Sequence, residues 1–332
     1  MTVLVPCKAD SDKLQKPPYT ECFDELRTAG VDTPFGDLSQ LAGTPFDVVV
    51  DNSGKDLEAV EPVIGAAKAS GASQFLFVSS AGMYASTDEP PHLEGDKVKA
   101  DAGHAGVEAA LRSGAGGFAS WASFRPQYLT GRGSNKDCEE WFFDRISRSL
   151  PLPIPGPGCQ LTVVSHAEDV AAMLAAAVER PSAAHGHVFN AVTDRCVSLD
   201  GFARLCAKAA GVDKAAIVHW DPKKVKDVDV KDAFPFRPVH FYSEPRAAKA
   251  LLGWAPKWDL EDALAERWAA YEASGRSKKN LAKKMEARKP HSVCFDSSRP
   301  FLAADGCQDL GGPRQVNDTR LTIPTYAVLA SP

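Results

Sequence analysis

Residues 74–104, QFLFVSSAGMYASTDEPPHLEGDKVKADAGH, decide how the rest of the chain is read. Residues 75–78 form a short, continuous apolar run between a polar entry and a Ser pair, the pattern of a parallel strand buried on both faces. In an open parallel sheet, ligands sit just outside the carboxyl ends of the strands. Ser79, Ser80, Gly82 and Tyr84 therefore stand where chemistry is expected.

Working outward, residues 46–50 read as a second buried strand, ending in the polar cluster Asp51-Asn52-Ser53-Gly54-Lys55-Asp56. Leu57, Val60, Ile64 and Ala67 then recur at helical spacing as far as Gly71. Strand, helix and strand joined by short links make a right-handed parallel crossover. Downstream, a helix is expected over 100–112 and a strand over 121–124, ending in Arg125-Pro126. At the start of the chain, residues 2–5 read as a strand and 22–29 as a helix that stops at Gly30. The fold class is thus α/β, a doubly wound, Rossmann-like parallel sheet. Residues 1–126 form its core, residues 127–275 a smaller C-terminal lobe, and 276–332 a basic, then low-order tail.

Several strings resemble a known superfamily. FVSSAGMY is similar to the strand end that carries the catalytic Ser in extended short-chain dehydrogenases and nucleotide-sugar epimerases, with Ser80 at that position. The superfamily pairs this Ser with Tyr-x-x-x-Lys. Lys99 matches the Lys, but Gly95 stands where the Tyr is expected. No glycine-rich phosphate loop accompanies residues 2–5, so the chain is read as starting at the superfamily's second strand, from a shortened product. Within the superfamily, PPHLEGDKVKADAGH, NKDCEEWFFDRI and WASFRPQYLTG resemble the chloroplast stem-loop-binding proteins, which bind and cleave RNA. The resemblance implies a stromal RNA-binding protein with divalent-metal-dependent endoribonuclease activity on stem-loop RNA. It also implies roles in plastid transcript or ribosome metabolism, contacts with chloroplast ribosomes or the transcription machinery, and an oligomer with itself or a paralogue. Two rivals remain open: an NAD(P)-dependent sugar-nucleotide epimerase or reductase, and a non-catalytic ribosome-associated scaffold.

The residue chemistry leaves several constellations. Ser80 and Lys99 are the inherited catalytic pair. Without a Tyr relay, NAD(P) is not expected as cofactor. Asp51, Asn52 and Asp56 offer hard oxygen ligands for Mg²⁺ at a strand end, with Asp47 a weaker fourth; the same acids would equally cap the following helix. His92 and His104 are candidate acid and base, or surface polars in an acidic loop. For RNA, Arg125, Arg132, Lys136, Arg145 and Arg148 lie near the aromatic Tyr128 and Trp141, although Trp141 also fits a core position. Lys223, Lys224, Lys226 and Lys231 form a second patch, diluted by Asp227, Asp229 and Asp232.

A net charge of −5 means that any RNA surface is a local patch on an acidic body, with strongly salt-sensitive binding. No apolar run approaches the ~20 residues of a membrane helix. The eight Cys form no C-x-x-C pair, which argues for reduced thiols and against structural zinc.

Overall fold

The computed structural model describes residues 1–5, 7–15, 19–134, 138–225, 229–281 and 329–330. Lys136, Lys226 and most of the basic tail lie outside them.

The core takes the expected alternation: α1 (Tyr19–Thr28), β1 (Val48–Asp51), α2 (Leu57–Ala69), β2 (Gln74–Val78), α3 (Gly103–Arg112) and β3 (Ser120–Pro126). The chain continues through β4 (Tyr128–Thr130), α4 (Glu140–Ile146), β5 (Leu152–Pro155), β6 (Leu161–Thr162), β7 (Val164–His166), α5 (Ala167–Glu179), α6 (Pro181–Ala184) and β8 (His187–Ala191). It ends in β9 (Val197–Ser198), α7 (Leu199–Ala209), β10 (Ile217–Trp220), α8 (Val230–Ala233), α9 (Arg246–Leu252), α10 (Leu260–Ala273) and β11 (Leu329–Ala330).

The main sheet has the order β11-β1-β2-β3-β8. Strands β1, β2, β3 and β8 are parallel, with Val49 opposite Phe75, Phe75 opposite Trp121 and Phe124 opposite Phe189. Successive side chains in a strand point to opposite faces. Accordingly Val48, Val50, Leu76 and Phe124 pack against α5 and α9, while Val49, Phe75, Phe77 and Trp121 pack against α2 and α3. The uninterrupted apolar run in β2 is therefore shared between two cores. Truncating fully buried Phe75 or Phe77 to Ala should cost about 3–5 kcal/mol.

Residues 2–5 pair in parallel with 32–35 through two isolated bridges, Thr2 with Asp32 and Val5 with Phe35, rather than through a full ladder. Val3, Leu26 and Val31 give this N-terminal unit a small core of its own.

The C-terminal lobe is built on three two-stranded pairs, β5 with β10, β4 with β7, and β6 with β9. Ser198 caps α7 by accepting from the Gly201 amide, and Gly211 takes φ 69° just past its end, as read from the sequence. The lobe core gathers Trp141, Phe142, Phe143, Phe202, Phe234 and Phe236. Every residue of α4 from Trp141 to Ile146 is buried. Arg145, a candidate RNA contact, is therefore enclosed with the aromatic residues of this helix. A 3₁₀ turn at Arg276–Lys278 is tied back to α4 through Arg276 and Asp144. Ordered packing thus continues past residue 275. Among the described residues no helix is long and apolar enough to cross a membrane.

Candidate functional site at the carboxyl ends of the sheet

The strand end after β2 is held rigidly. The Ser79 amide donates to the Phe124 carbonyl at 2.7 Å, and Ser80 Oγ accepts from the Gly82 amide at 3.1 Å, capping a 3₁₀ turn over Ala81–Met83. The turn presents the Gly82 carbonyl to two cations. Lys99 Nζ donates to it at 2.9 Å, and Arg237 Nη2, from the C-terminal lobe, at 2.8 Å. Lys99 is itself fixed by its amide on the Met83 carbonyl at 2.8 Å. Arg237 lies over the Phe241 ring at 4.0 Å, and its amide donates to Tyr128 Oη. Partial burial, then the positive charges of Arg237 and Lys231, pull the Lys99 ammonium below its ordinary range; Asp101 opposes them. Ser80 and Lys99 thus both bond to Gly82, through its amide and its carbonyl, and Arg237, which sequence reasoning missed, joins Lys99 on the carbonyl. The usable signal was FRPVHF: an Arg whose neighbours Phe236 and Phe241 anchor its segment in the core.

Beneath this rim lies a closed polar network. Tyr84 is buried, its hydroxyl donates to Asn190 Oδ1 at 2.7 Å, and its ring stacks on His92 at 4.6 Å. Burial pushes the Tyr84 phenol up to about 12. Arg125 is only 4% exposed and grips Glu108, 3% exposed, through Nε–Oε1 at 3.0 Å and Nη2–Oε2 at 2.6 Å. Ser123 donates to the same carboxylate, and Arg125 Nη1 donates to the Glu94 carbonyl. A bidentate buried pair of this kind leaves the guanidinium no face for a phosphate.

Other sequence-level assignments change for related reasons. Arg145 is buried, 3.7 Å over the Trp141 ring, and donates to the Trp141 carbonyl. Arg148 donates to Tyr271 Oη and to the carbonyls of Asp144, Arg276 and Lys279. Neither is a free RNA contact. Trp141 is core, its indole donating to the Ala233 carbonyl. Arg132 keeps about half its side chain exposed but pairs with Glu25 of the N-terminal unit.

The candidate acid and base have different neighbours. His92 is buried between Tyr84 and Phe241, where burial lowers its pKa against the pull of Asp96. His104, near Phe77, is likewise lowered by burial, with Glu108 and Asp56 opposing.

Each proposed carboxylate ligand uses one oxygen on local structure, while Asp51 Oδ2 is buried without a hydrogen-bond partner. Asp51 Oδ1 accepts from the amides of Ser53 and Gly54 and from Ser53 Oγ, while Asp56 Oδ1 caps α2 through the Ala59 amide at 3.0 Å. Asn52 is exposed beside them. Among the described residues no three His, Cys, Asp or Glu side chains come together as a metal site. Asp56 thus caps α2 as the alternative reading of this loop expected, and the loop presents no three-carboxylate cage.

A nicotinamide cofactor fits no better. Hydride chemistry needs a phenol beside the lysine, yet Gly95 offers none and Tyr84 is locked onto Asn190 as a neutral donor.

A parallel sheet with a serine-bearing strand end, a lysine in the following loop and a second lobe closing over both defines the class. Residues 50–191 match the NAD dependent epimerase/dehydratase family. The chain is also 36% identical over 233 residues to the chloroplast stem-loop binding protein of 41 kDa b from Arabidopsis thaliana, a match covering 69% of this chain and 60% of that protein. The chain therefore spans less than two thirds of that relative's length. Among solved structures, a dTDP-glucose 4,6-dehydratase from Streptomyces venezuelae superposes with TM-score 0.63 at 14% identity, covering 86% of this chain and 89% of that one. A UDP-glucuronic acid 4-epimerase from Bacillus cereus gives 0.60 at 17%, covering 78% and 87%. These two establish the fold alone.

Proposed function

We propose that this chain is a stromal chloroplast RNA-binding protein that engages stem-loop RNA at the carboxyl ends of its sheet and cleaves it. The likeness to the Arabidopsis stem-loop binding protein supports the RNA and chloroplast parts of the reading. The observation that carries the site is the meeting of Lys99 and Arg237 on one neutral acceptor. Two full positive charges share a single carbonyl, and Lys231 adds a third charge close enough to depress Lys99. Such a cluster favours a phosphodiester strongly, because the phosphate supplies the negative charge that Gly82 cannot.

The segment that carries Lys231 and Arg237 is anchored by buried Phe234 and Phe236, so the cations of the C-terminal lobe are held in place. Of the RNA contacts read from the sequence, Arg132 is about half exposed and paired with Glu25. Ribosomal or transcriptional partners, and an oligomer with a second copy or paralogue, belong to the same reading.

The test is cleavage and binding of a labelled stem-loop RNA by the full chain, with Mg²⁺ and with EDTA, across a salt series. Binding that weakens steeply with salt, together with cutting, supports the reading. Binding without cutting selects a non-catalytic scaffold, and no binding by a folded sample overturns it.

A further inference from the structure

The C-terminal lobe holds a cavity of about 390 Å³, the size of a small-molecule site. The parallel strands β4 and β7 end in it with Thr130 and His166, and the loop that follows β8 adds Arg195 and Cys196 to its wall. The smaller lobe thus repeats the placement of ligands beyond strand carboxyl ends. Lys257 and Trp258, just before α10, complete the lining.

The wall is rigid and contains an unsatisfied donor. Trp258 stacks on His166 at 3.9 Å, and its indole donates to Glu168 Oε2 at 2.9 Å. His166 is 3% exposed, and its Nδ1 accepts from the Glu168 amide at 3.2 Å, which puts the proton of the neutral ring on Nε2. That Nε2 makes no hydrogen bond, although Glu266 Oε2 stands 3.4 Å away. Gly131, at φ 104°, leaves space beside it, since a Cβ there would lie 2.6 Å from Nε2. A buried donor without an acceptor is costly, so a ligand that supplies the acceptor gains by it.

The charge left over on this wall is positive. Asp194 pairs with Lys249, Glu261 with Lys208, and Asp259 with Arg195, whose side chain is 84% exposed. Lys257 is exposed and pairs with no carboxylate among the described residues. The pocket also adjoins the segment that carries Arg237. Tyr128, whose hydroxyl accepts from the Arg237 amide, begins β4, and Thr130 ends it two residues on, about 7 Å of extended chain. Burial, then the nearby Cys196 and Glu244, push the Tyr242 phenol up, and Tyr242 follows Phe241, the ring under Arg237.

We propose that this pocket takes one unpaired base from the loop of a stem-loop RNA, with an adjoining phosphate on Lys257 and Arg195. A fixed aromatic wall, a buried donor and exposed cations are the parts that hold a splayed-out nucleotide by its face, its edge and its phosphate. The base presents a ring-nitrogen or carbonyl acceptor to His166 Nε2–H. This rests on the proposed binding of stem-loop RNA and adds the contact that tells a loop from a plain duplex, because a paired base leaves its stack only at a cost.

The experiment compares the affinity of the full chain for two labelled hairpins with one stem, the second having abasic loop positions and the same phosphates. The intact loop should bind about 10-fold tighter. Cys196→Phe, which fills the cavity from an exposed position, should abolish that difference, whereas the Lys99→Ala, Arg237→Ala double variant should weaken both hairpins and keep it. The alkylation rate of Cys196, followed by peptide mass spectrometry in the wild-type chain, should fall with the intact hairpin and not with the abasic one; this arm decides the matter if Cys196→Phe does not fold. Equal affinity for the two hairpins, a difference that survives in folded Cys196→Phe, or no protection of Cys196 would overturn the assignment and leave RNA binding at Lys99 and Arg237 in place. Equal protection by free nucleoside monophosphates would make the ligand a soluble nucleotide and overturn the loop assignment. Binding of neither hairpin by a folded wild-type chain removes the RNA reading and this assignment together.

Discussion

Lys99 and Arg237 come from different lobes and place their donors on the same atom, the carbonyl oxygen of Gly82, at 2.9 and 2.8 Å. The resemblance set out in the sequence analysis pairs a lysine at this place with a tyrosine phenol. Here the phenol is missing, and a second cation has come in from the opposite lobe. Like charges held this close raise the local potential and bring anions to the cleft by steering as well as by contact. Under the proposed function, this pair of cations is the contact for RNA phosphate.

The network below the rim is a stability element. Glu108→Ala leaves the buried Arg125 guanidinium without its carboxylate, which should lower unfolding free energy by about 3–5 kcal/mol. Urea unfolding monitored by circular dichroism measures it. A change near zero would mean that the pair is not desolvated as described.

Asp56 should behave as a helix cap and not as a metal ligand. Asp56→Ala removes the acceptor for the Ala59 amide and should cost about 1 kcal/mol. The Mg²⁺ dependence of any RNA cleavage should be unchanged. A shifted Mg²⁺ midpoint in this variant would restore the metal reading of the loop.

The buried histidines predict a pH dependence with a definite sign. His92 and His104 are both held below their ordinary value of 6.5 by burial. Below about pH 6.5 the unfolded chain takes up protons that the folded one refuses, so their contribution is complete above that pH and declines as pH falls through the window beneath it. Denaturation midpoints at neutral pH and at about pH 5.5 should differ less in His92→Phe, which keeps a ring against Tyr84. Parallel losses in wild type and variant would contradict this.

Much of the core was legible because its signals are local and periodic. The β2 run, the helical spacing of Val60, Ile64 and Ala67, and the caps at Ser198 and Gly211 each carry their own reason in neighbouring residues. The arginines were not legible for the opposite reason. Arg125 at a strand end looks available until Glu108, on the preceding helix, is seen to lie against it. Arg145 sits on a short helix and Arg148 just past its end, and their surroundings come from distant segments, α7, α10 and the turn at Arg276. Asp51 and Asp56 could be read as ligands or as caps, and only coordinates separate the two. Arg237 lies in an irregular segment with no periodicity to announce it.

The most direct measurement is the salt dependence of stem-loop RNA affinity for the wild-type chain and for Lys99→Ala, Arg237→Ala and the double variant. If these cations hold RNA phosphate, each single change should weaken binding uniformly across RNA sequences and reduce the slope of log affinity against log salt by about 1, and the double change by about 2. Unchanged affinity and slope in a folded double variant would contradict the account, and would move the RNA surface away from the carboxyl ends of the sheet.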